Sequence, residues 1–214
     1  SLAKGETLGI IGATGSGKST IAALLLRFYE VSEGAVYIEG ENIRAIPADR
    51  LRKRFGVVFQ NDMIFEESIA ENVRMGRSLS AEEIKEAVTH AMAKEFVEEA
   101  GRGYDAPVHA HGANLSGGQK QRILIARALA AHPDLLILDD SSSALDYKTD
   151  AALRHELAAH FADTTKIIIA QRVSSIMHAD HIMVLEDGKM IGYGTHEALL
   201  EQCEVYREIR DSQQ

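Results

Sequence analysis

The nine residues Gly12-Ala13-Thr14-Gly15-Ser16-Gly17-Lys18-Ser19-Thr20 constrain this chain more than any other stretch. They follow the pattern G-x-x-x-x-G-K-[ST], a glycine-rich loop that wraps phosphate. The flanks agree with it. Leu8-Gly9-Ile10-Ile11 is a short apolar run that predicts a strand, and Ile21, Leu24, Leu25 and Phe28 recur at helical spacing, predicting a helix to about Tyr29. In such a loop the glycines let successive N–H groups turn inward, and the positive end of the following helix faces the same anion. Lys18 is placed to reach the β- and γ-phosphates, and Ser19 to offer its hydroxyl to Mg²⁺. The candidate phosphate contacts are Gly12, Thr14, Gly15, Ser16, Gly17, Lys18, Ser19 and Thr20.

With 214 residues the chain is long enough for one full core with an inserted subdomain. A net charge of −9 argues against nucleic acid or an anionic membrane surface as the main partner. The single cysteine, Cys203, excludes an intrachain disulfide and reads as a plain surface or packing cysteine in a C-terminal helix. No apolar run approaches the roughly 18 residues needed to cross a bilayer. The chain opens on Ser1 and enters the loop strand almost at once, as an excised domain of a longer polypeptide would.

Further strands are predicted at Glu33–Gly40, Gly56–Phe59, Leu135–Leu138, Ile167–Ala170 and His181–Leu185, the last turning at Asp187-Gly188 into Lys189–Ile191. The stretch between the second and third of these is mostly helical. Ser80 and Glu83 form a capping-box pattern; Ile84, Val88, Met92 and Phe96 follow at steps of four, with Gly101 as the expected cap. A helix carrying Leu153, Leu157 and Phe161 separates two apolar strands. Fully apolar strands alternating with helices imply a parallel sheet buried on both faces, hence an α/β fold. One domain over 1–214 is expected, with a core from about 1–60 and 131–214 and a helical subdomain at about 61–130.

Asp139, at the end of the Leu135–Leu138 run, suits a carboxylate that holds Mg²⁺ opposite the loop. Leu115-Ser116-Gly117-Gly118-Gln119 reads physically either as an N-capped helix start or as a second anion site next to Lys120, Arg122 and Arg127. Together these motifs resemble the ATP-binding cassette (ABC) family over essentially the whole chain. In that resemblance Gly12–Thr20 is the Walker A loop, Gln60 the Q-loop, Leu115–Gln119 the signature, Leu135–Asp139 Walker B, Ser143–Asp146 the D-loop and Gln171 the switch residue.

The resemblance implies a P-loop NTPase core, an inserted helical subdomain and a truncated antiparallel β-subdomain. The truncation would leave out an aromatic residue that stacks on adenine. ATP and Mg²⁺ are the implied ligands, with Ser19, Gln60 and Asp139 at the metal. Head-to-tail pairing would place Ser116, Gly117, Gly118, Gln119 and Asp146 against a partner's nucleotide. The wording of FEESIAENVRMG, ANLSGGQKQR and VSSIMHADHIMVLEDGKMIGYGTHEALL is similar to the exporter branch. That branch works with a transmembrane domain at the cytoplasmic face of the membrane.

Three positions depart from the family. Asp140 stands where a catalytic Glu is usual, Gln171 where a His is usual, and Val108–Gly112 where a Gly-Glu pair is usual. Asp140 and Gln171 are therefore the candidate catalytic residues of a degenerate, slow site, of the kind the family's heterodimeric exporters carry. The partner expected is a second ABC domain on a different chain. The alternative is a soluble, non-transport member, although the gap of some 55 residues between Gln60 and Ser116 leaves no room for the long coiled coil of DNA-repair members. A small P-loop kinase would lack LSGGQ. The pairs His109/His111 and His178/His181 lack further placed ligands, and Glu95, Glu98 and Glu99 read as a solvated helix face.

Overall fold

The computed structural model describes residues 1–141 and 143–213. Gln214, the last residue of the expected domain, lies outside the described residues.

Six strands form the main sheet: β1 (Thr7–Gly12), β4 (Phe55–Val58), β5 (Leu135–Asp139), β6 (Thr165–Ile169), β7 (His181–Glu186) and β8 (Lys189–Gly194). Their order is β4-β5-β6-β1-β7-β8. The first five pair in parallel and only β8 runs antiparallel, folded back through the Asp187-Gly188 turn. The α/β expectation therefore holds. The reason is visible in the burial: β1 and β5 are buried along nearly their whole length, which requires helices on both faces.

Helix α1 (Lys18–Leu25) and helix α2 (Ala48–Lys53) cover one face, beside a small antiparallel hairpin of β2 (Tyr37–Ile38) and β3 (Glu41–Asn42). Leu8, Ile10, Ala22, Ile137, Ile167 and Ile169 pack together there. Between β4 and β5 lies the helical insertion: α3 (Ile69–Arg74), α4 (Ala81–His90), α5 (Lys94–Glu99) and α6 (Gly117–Leu129). Helix α6 joins it to the sheet, burying Ile123, Ile125, Ala128 and Leu129 against Val58, Leu136 and Leu138. The approach is close enough that a Cβ on Gly56 would stand 2.5 Å from the Ala128 carbonyl oxygen. Helix α7 (Tyr147–His160) follows β5, and α8 (His196–Gln202) and α9 (Glu204–Asp211) cover Ile11, Ile182 and Val184 through Leu199 and Tyr206. Cys203 is buried at the α8–α9 joint, in keeping with a packing role. Glu95, Glu98 and Glu99 are exposed.

Four local expectations need correction. The first helix stops at Leu25, not near Tyr29. Arg27 adopts φ 52°, and its N–H and that of Phe28 bond back to Leu24 and Ala23, which is a Schellman cap without glycine. Phe28 consequently turns outward and is half exposed, with the Arg52 guanidinium over its ring. The helix expected through Met92 and Phe96 is two helices. Met92 at φ 57° makes the same cap, with its own N–H on Thr89 and that of Ala93 on Val88. Gly101 caps nothing, since α5 ends in extended backbone at Ala100. The single strand expected at Glu33–Gly40 is instead a hairpin that turns at Glu39 (φ 52°) and Gly40 (φ 81°).

Candidate functional site

The site residues gather because of strand order. Chain segments leaving the C-terminal ends of four adjacent strands, β4, β5, β6 and β1, carry Gln60, Asp139 with Asp140, Gln171 and the glycine loop. This edge is where α/β sheets open a crevice.

At Gly12 the backbone leaves β1 beside β7 so closely that a Cβ would stand 2.1 Å from the Leu185 carbonyl oxygen. Gly15 and Gly17 hold φ of 83° and 99°, which suits glycine. The Gly188 N–H pins the loop to the β7–β8 turn by donating to the Ser16 carbonyl, 3.1 Å away. Helix α1 starts with no side-chain cap and no acidic residue in its first turn. Among the described residues, nothing accepts from the N–H groups of Gly15, Gly17, Lys18 or Ser19. The Ser16 hydroxyl is likewise buried without a partner among them. These donors and the open helix end make an anion cradle.

Lys18 Nζ donates to the carbonyls of Gly12 and Ala13, both at 2.8 Å. Burial lowers its pKa, and the charges of Asp139 and Asp140 oppose that shift. Asp139 is buried at the end of β5, opposite Ile169 of β6. Asp140 follows in the left-handed conformation, φ 50°, its N–H bonded to the Ile169 carbonyl at 2.8 Å. Its Oδ2 accepts from both Gln171 Nε2, at 2.8 Å, and Gln60 Nε2, at 3.2 Å. Burial, and then the neighbouring Asp139, push the Asp140 carboxyl above the usual aspartate range.

The resulting cleft has a volume of about 210 Å³ and includes Thr14, Gly15, Gly17, Lys18, Ser19, Thr20, Gln60, Asp139, Asp140 and Gln171. It is smaller than a pocket for a whole drug-sized ligand, but the glycine loop and Lys18 line it with donors suited to an anionic group. Larger cavities of about 340 and 310 Å³ exist elsewhere, with more apolar linings and no such loop. A triphosphate with Mg²⁺ fits this donor set: uncommitted N–H groups, one lysine, and an acid–hydroxyl pair in Asp139 and Ser19.

The other predicted residues lie apart from the cleft. Ser116 caps α6 in a capping box: the Gln119 N–H donates to Ser116 Oγ at 3.2 Å, and the Ser116 N–H to Gln119 Oε1 at 2.9 Å. Gly117 and Gly118 pack against Ala144 of the D-loop. Asp146 caps α7, accepting from the Thr149 N–H at 2.9 Å and its hydroxyl at 2.6 Å, which holds its carboxyl below the usual range.

Two of the three cations expected to support an anion at the signature, Arg122 and Arg127, are spent elsewhere. Arg127 is buried, donating to the carbonyls of Asn72 and Met63. Arg122 bonds to the Met92 carbonyl and lies over the Phe96 ring.

Sequence reasoning missed two contributors. Arg172 adds positive charge near Asp140. Gln213 holds the switch backbone, with its Nε2 on the Gln171 carbonyl at 2.7 Å and its Oε1 accepting from the Val173 N–H at 2.8 Å. Nothing in the sequence marks a glutamine some 40 residues downstream for that task.

Comparisons with known proteins place the fold in a family. The profile of the family described as ABC transporter matches residues 1–143. The chain is 44% identical over 209 residues to the uncharacterized ABC transporter ATP-binding protein YfiB of Bacillus subtilis, covering 97% of this chain and 36% of that protein. It is 40% identical over 210 residues to a putative multidrug export ATP-binding/permease protein of Staphylococcus aureus, covering 98% and 36% respectively. The solved structure of a bacterial Atm1-family ABC exporter with ATP bound superposes with a TM-score of 0.95 at 38% identity, covering 99% of this chain and 38% of that one. The chain thus spans about a third of the length of these relatives. It belongs to the ABC transporter family, as a nucleotide-binding domain.

Proposed function

We propose that this chain is the Mg·ATP-binding engine of an exporter, and that its own Walker site hydrolyses slowly. The exporter reading is supported by the relatives, which include a putative multidrug export protein and an Atm1-family exporter. It implies a transmembrane partner domain and work at the cytoplasmic face of a membrane. In this reading the Walker A loop holds the phosphates, and Ser19, Gln60 and Asp139 hold the metal. The bound ion would offset phosphate charge.

The observation that carries the slow-site reading is the convergence of Gln60 and Gln171 on one oxygen of Asp140. Two effects compete there. A raised carboxyl pKa favours a general base. Against it, Asp is one methylene shorter than Glu, which withdraws the carboxylate by about 1.5 Å, and a misplacement of about 1 Å can cost about 100-fold in rate. Gln171 donates a hydrogen bond but cannot carry positive charge. Reach outweighs basicity, so water is poorly activated on this side.

The signature stands outside the cleft of its own chain. That supports a head-to-tail dimer in which Ser116–Gln119 and Asp146 complete the site of a partner domain, on a different chain carrying the usual Glu and His. The test is the double change Asp140→Glu with Gln171→His. Hydrolysis at this chain's own site should rise by about 100-fold. An unchanged rate with unchanged ATP affinity would reject a geometric limit.

A further inference from the structure

Away from the phosphate cleft, three metal-binding side chains meet where the helical insertion touches the core. His90 closes α4, and Glu156 and His160 stand one turn apart on α7 and so share a face. One ligand atom from each lies within 4.8 Å of the others. His90 Nδ1 is 2.7 Å from Glu156 Oε1, and His160 Nε2 is 3.5 Å from the same oxygen. The imidazole centroids are 4.8 Å apart. A tetrahedral ion with bonds of about 2.1 Å separates its ligand atoms by about 3.4 Å. The His160–Glu156 spacing already has that value, and the His90–Glu156 spacing reaches it by a small rotation of the carboxylate.

We propose that His90, Glu156 and His160 form a binding site for a borderline divalent cation of the Zn²⁺ class. Two imidazoles and one carboxylate suit Zn²⁺ or Co²⁺ better than Mg²⁺ or Ca²⁺, which take oxygen. The surroundings are partly organised for it. His90 is held edge-on to Phe161, with centroids 5.3 Å apart. Glu86 Oε1 lies 3.6 Å from His90 Nε2, on the side where a second carboxylate orients a ligating histidine. A cavity of about 130 Å³, lined also by His132, adjoins the triad and leaves room for a fourth ligand. An ion here would tie α4, in the segment between β4 and β5, to α7, which follows β5. It would therefore stiffen the junction between insertion and core without touching the nucleotide.

The experiment titrates the metal-stripped chain, free of nucleotide, with Zn²⁺ and with Co²⁺. One equivalent should bind, Co²⁺ should develop the visible bands of a tetrahedral site, and the thermal midpoint should rise and fall back on chelation. His160→Ala and Glu156→Gln should each weaken binding by more than about 100-fold, beyond the loss of an outer-sphere partner. His160 is largely exposed, so its variant should fold normally and keep the unliganded midpoint. The double change His109→Ala with His111→Ala should leave binding intact. No bound equivalent, or an affinity unmoved by His160→Ala, would overturn the assignment and leave a His90–Glu156 hydrogen bond.

Discussion

Replacing Ser116 by aspartate separates the two jobs of that residue. In the structure Ser116 is the N-cap of α6, with Gln119 closing the box. An arginine there would block a partner's nucleotide but also remove the cap, which contributes about 0.5–2 kcal/mol. Aspartate caps as well as serine and adds only a negative charge. If this surface faces a partner's terminal phosphate, one added charge at about 4 Å costs about 4 kcal/mol at an effective dielectric of 20. That corresponds to about a thousandfold in closure of the partner's site. Steady-state ATPase rates of the assembled transporter should therefore fall by up to about a thousandfold in Ser116→Asp. Ser116→Asn, which keeps the cap without the charge, should stay far closer to wild type. If the proposed slow-site reading holds, Asp140→Asn should change turnover by less than about threefold. Thermal midpoints of all three variants guard against unfolding. Wild-type turnover in Ser116→Asp would refute a phosphate-facing signature. Turnover lost as completely in Asp140→Asn as in Ser116→Asp would refute the slow-site reading.

Two other perturbations test the cleft itself. Lys18→Ala removes a cation expected to make two charge-assisted contacts, each about 1.5–3 kcal/mol, so ATP affinity measured by calorimetry should fall by at least about 100-fold. Its present bonds end on Gly12 and Ala13 carbonyls at the cleft surface, so the nucleotide-free thermal midpoint should hardly move. Asp140 has a raised carboxyl pKa, so it contributes stability below the ordinary aspartate range that is lost as pH rises through its folded pKa. Thermal midpoints across pH should therefore match for wild type and Asp140→Asn below about pH 4 and diverge above it, with the variant higher. A higher wild-type midpoint at neutral pH would contradict the assigned burial.

Much of the fold was legible because its strands are buried on both faces. Leu135–Leu138 and Ile167–Ile169 could only be central strands, and the glycine loop fixed the edge at which a site would open. Helix ends were less legible. Arg27 and Met92 adopt the left-handed position that sequence rules reserve for glycine, so neither stop announced itself. The cations of α6 misled because a sequence cannot say that Arg127 points inward to bind backbone carbonyls. In the site, the residue types at Asp140 and Gln171 could be read, but not the Asp140 oxygen that Gln60 and Gln171 share, which depends on three strands, β4, β5 and β6, lying side by side. Among closely spaced histidines the sequence offered only pairs such as His109 and His111, with no further ligand placed beside them. The convergent set, His90, Glu156 and His160, comes from helices distant in sequence.

The grip of Gln213 has a consequence for how the switch can vary. Both of its hydrogen bonds end on main-chain atoms, the carbonyl of Gln171 and the N–H of Val173. The path of the chain at this corner is thus fixed independently of which side chain projects from it. Position 171 behaves as an interchangeable tool in a fixed holder: imidazole can replace amide there while the main chain keeps its place. On the proposed slow-site reading, a change of rate at this corner would then need new side-chain chemistry but no refolding of the loop.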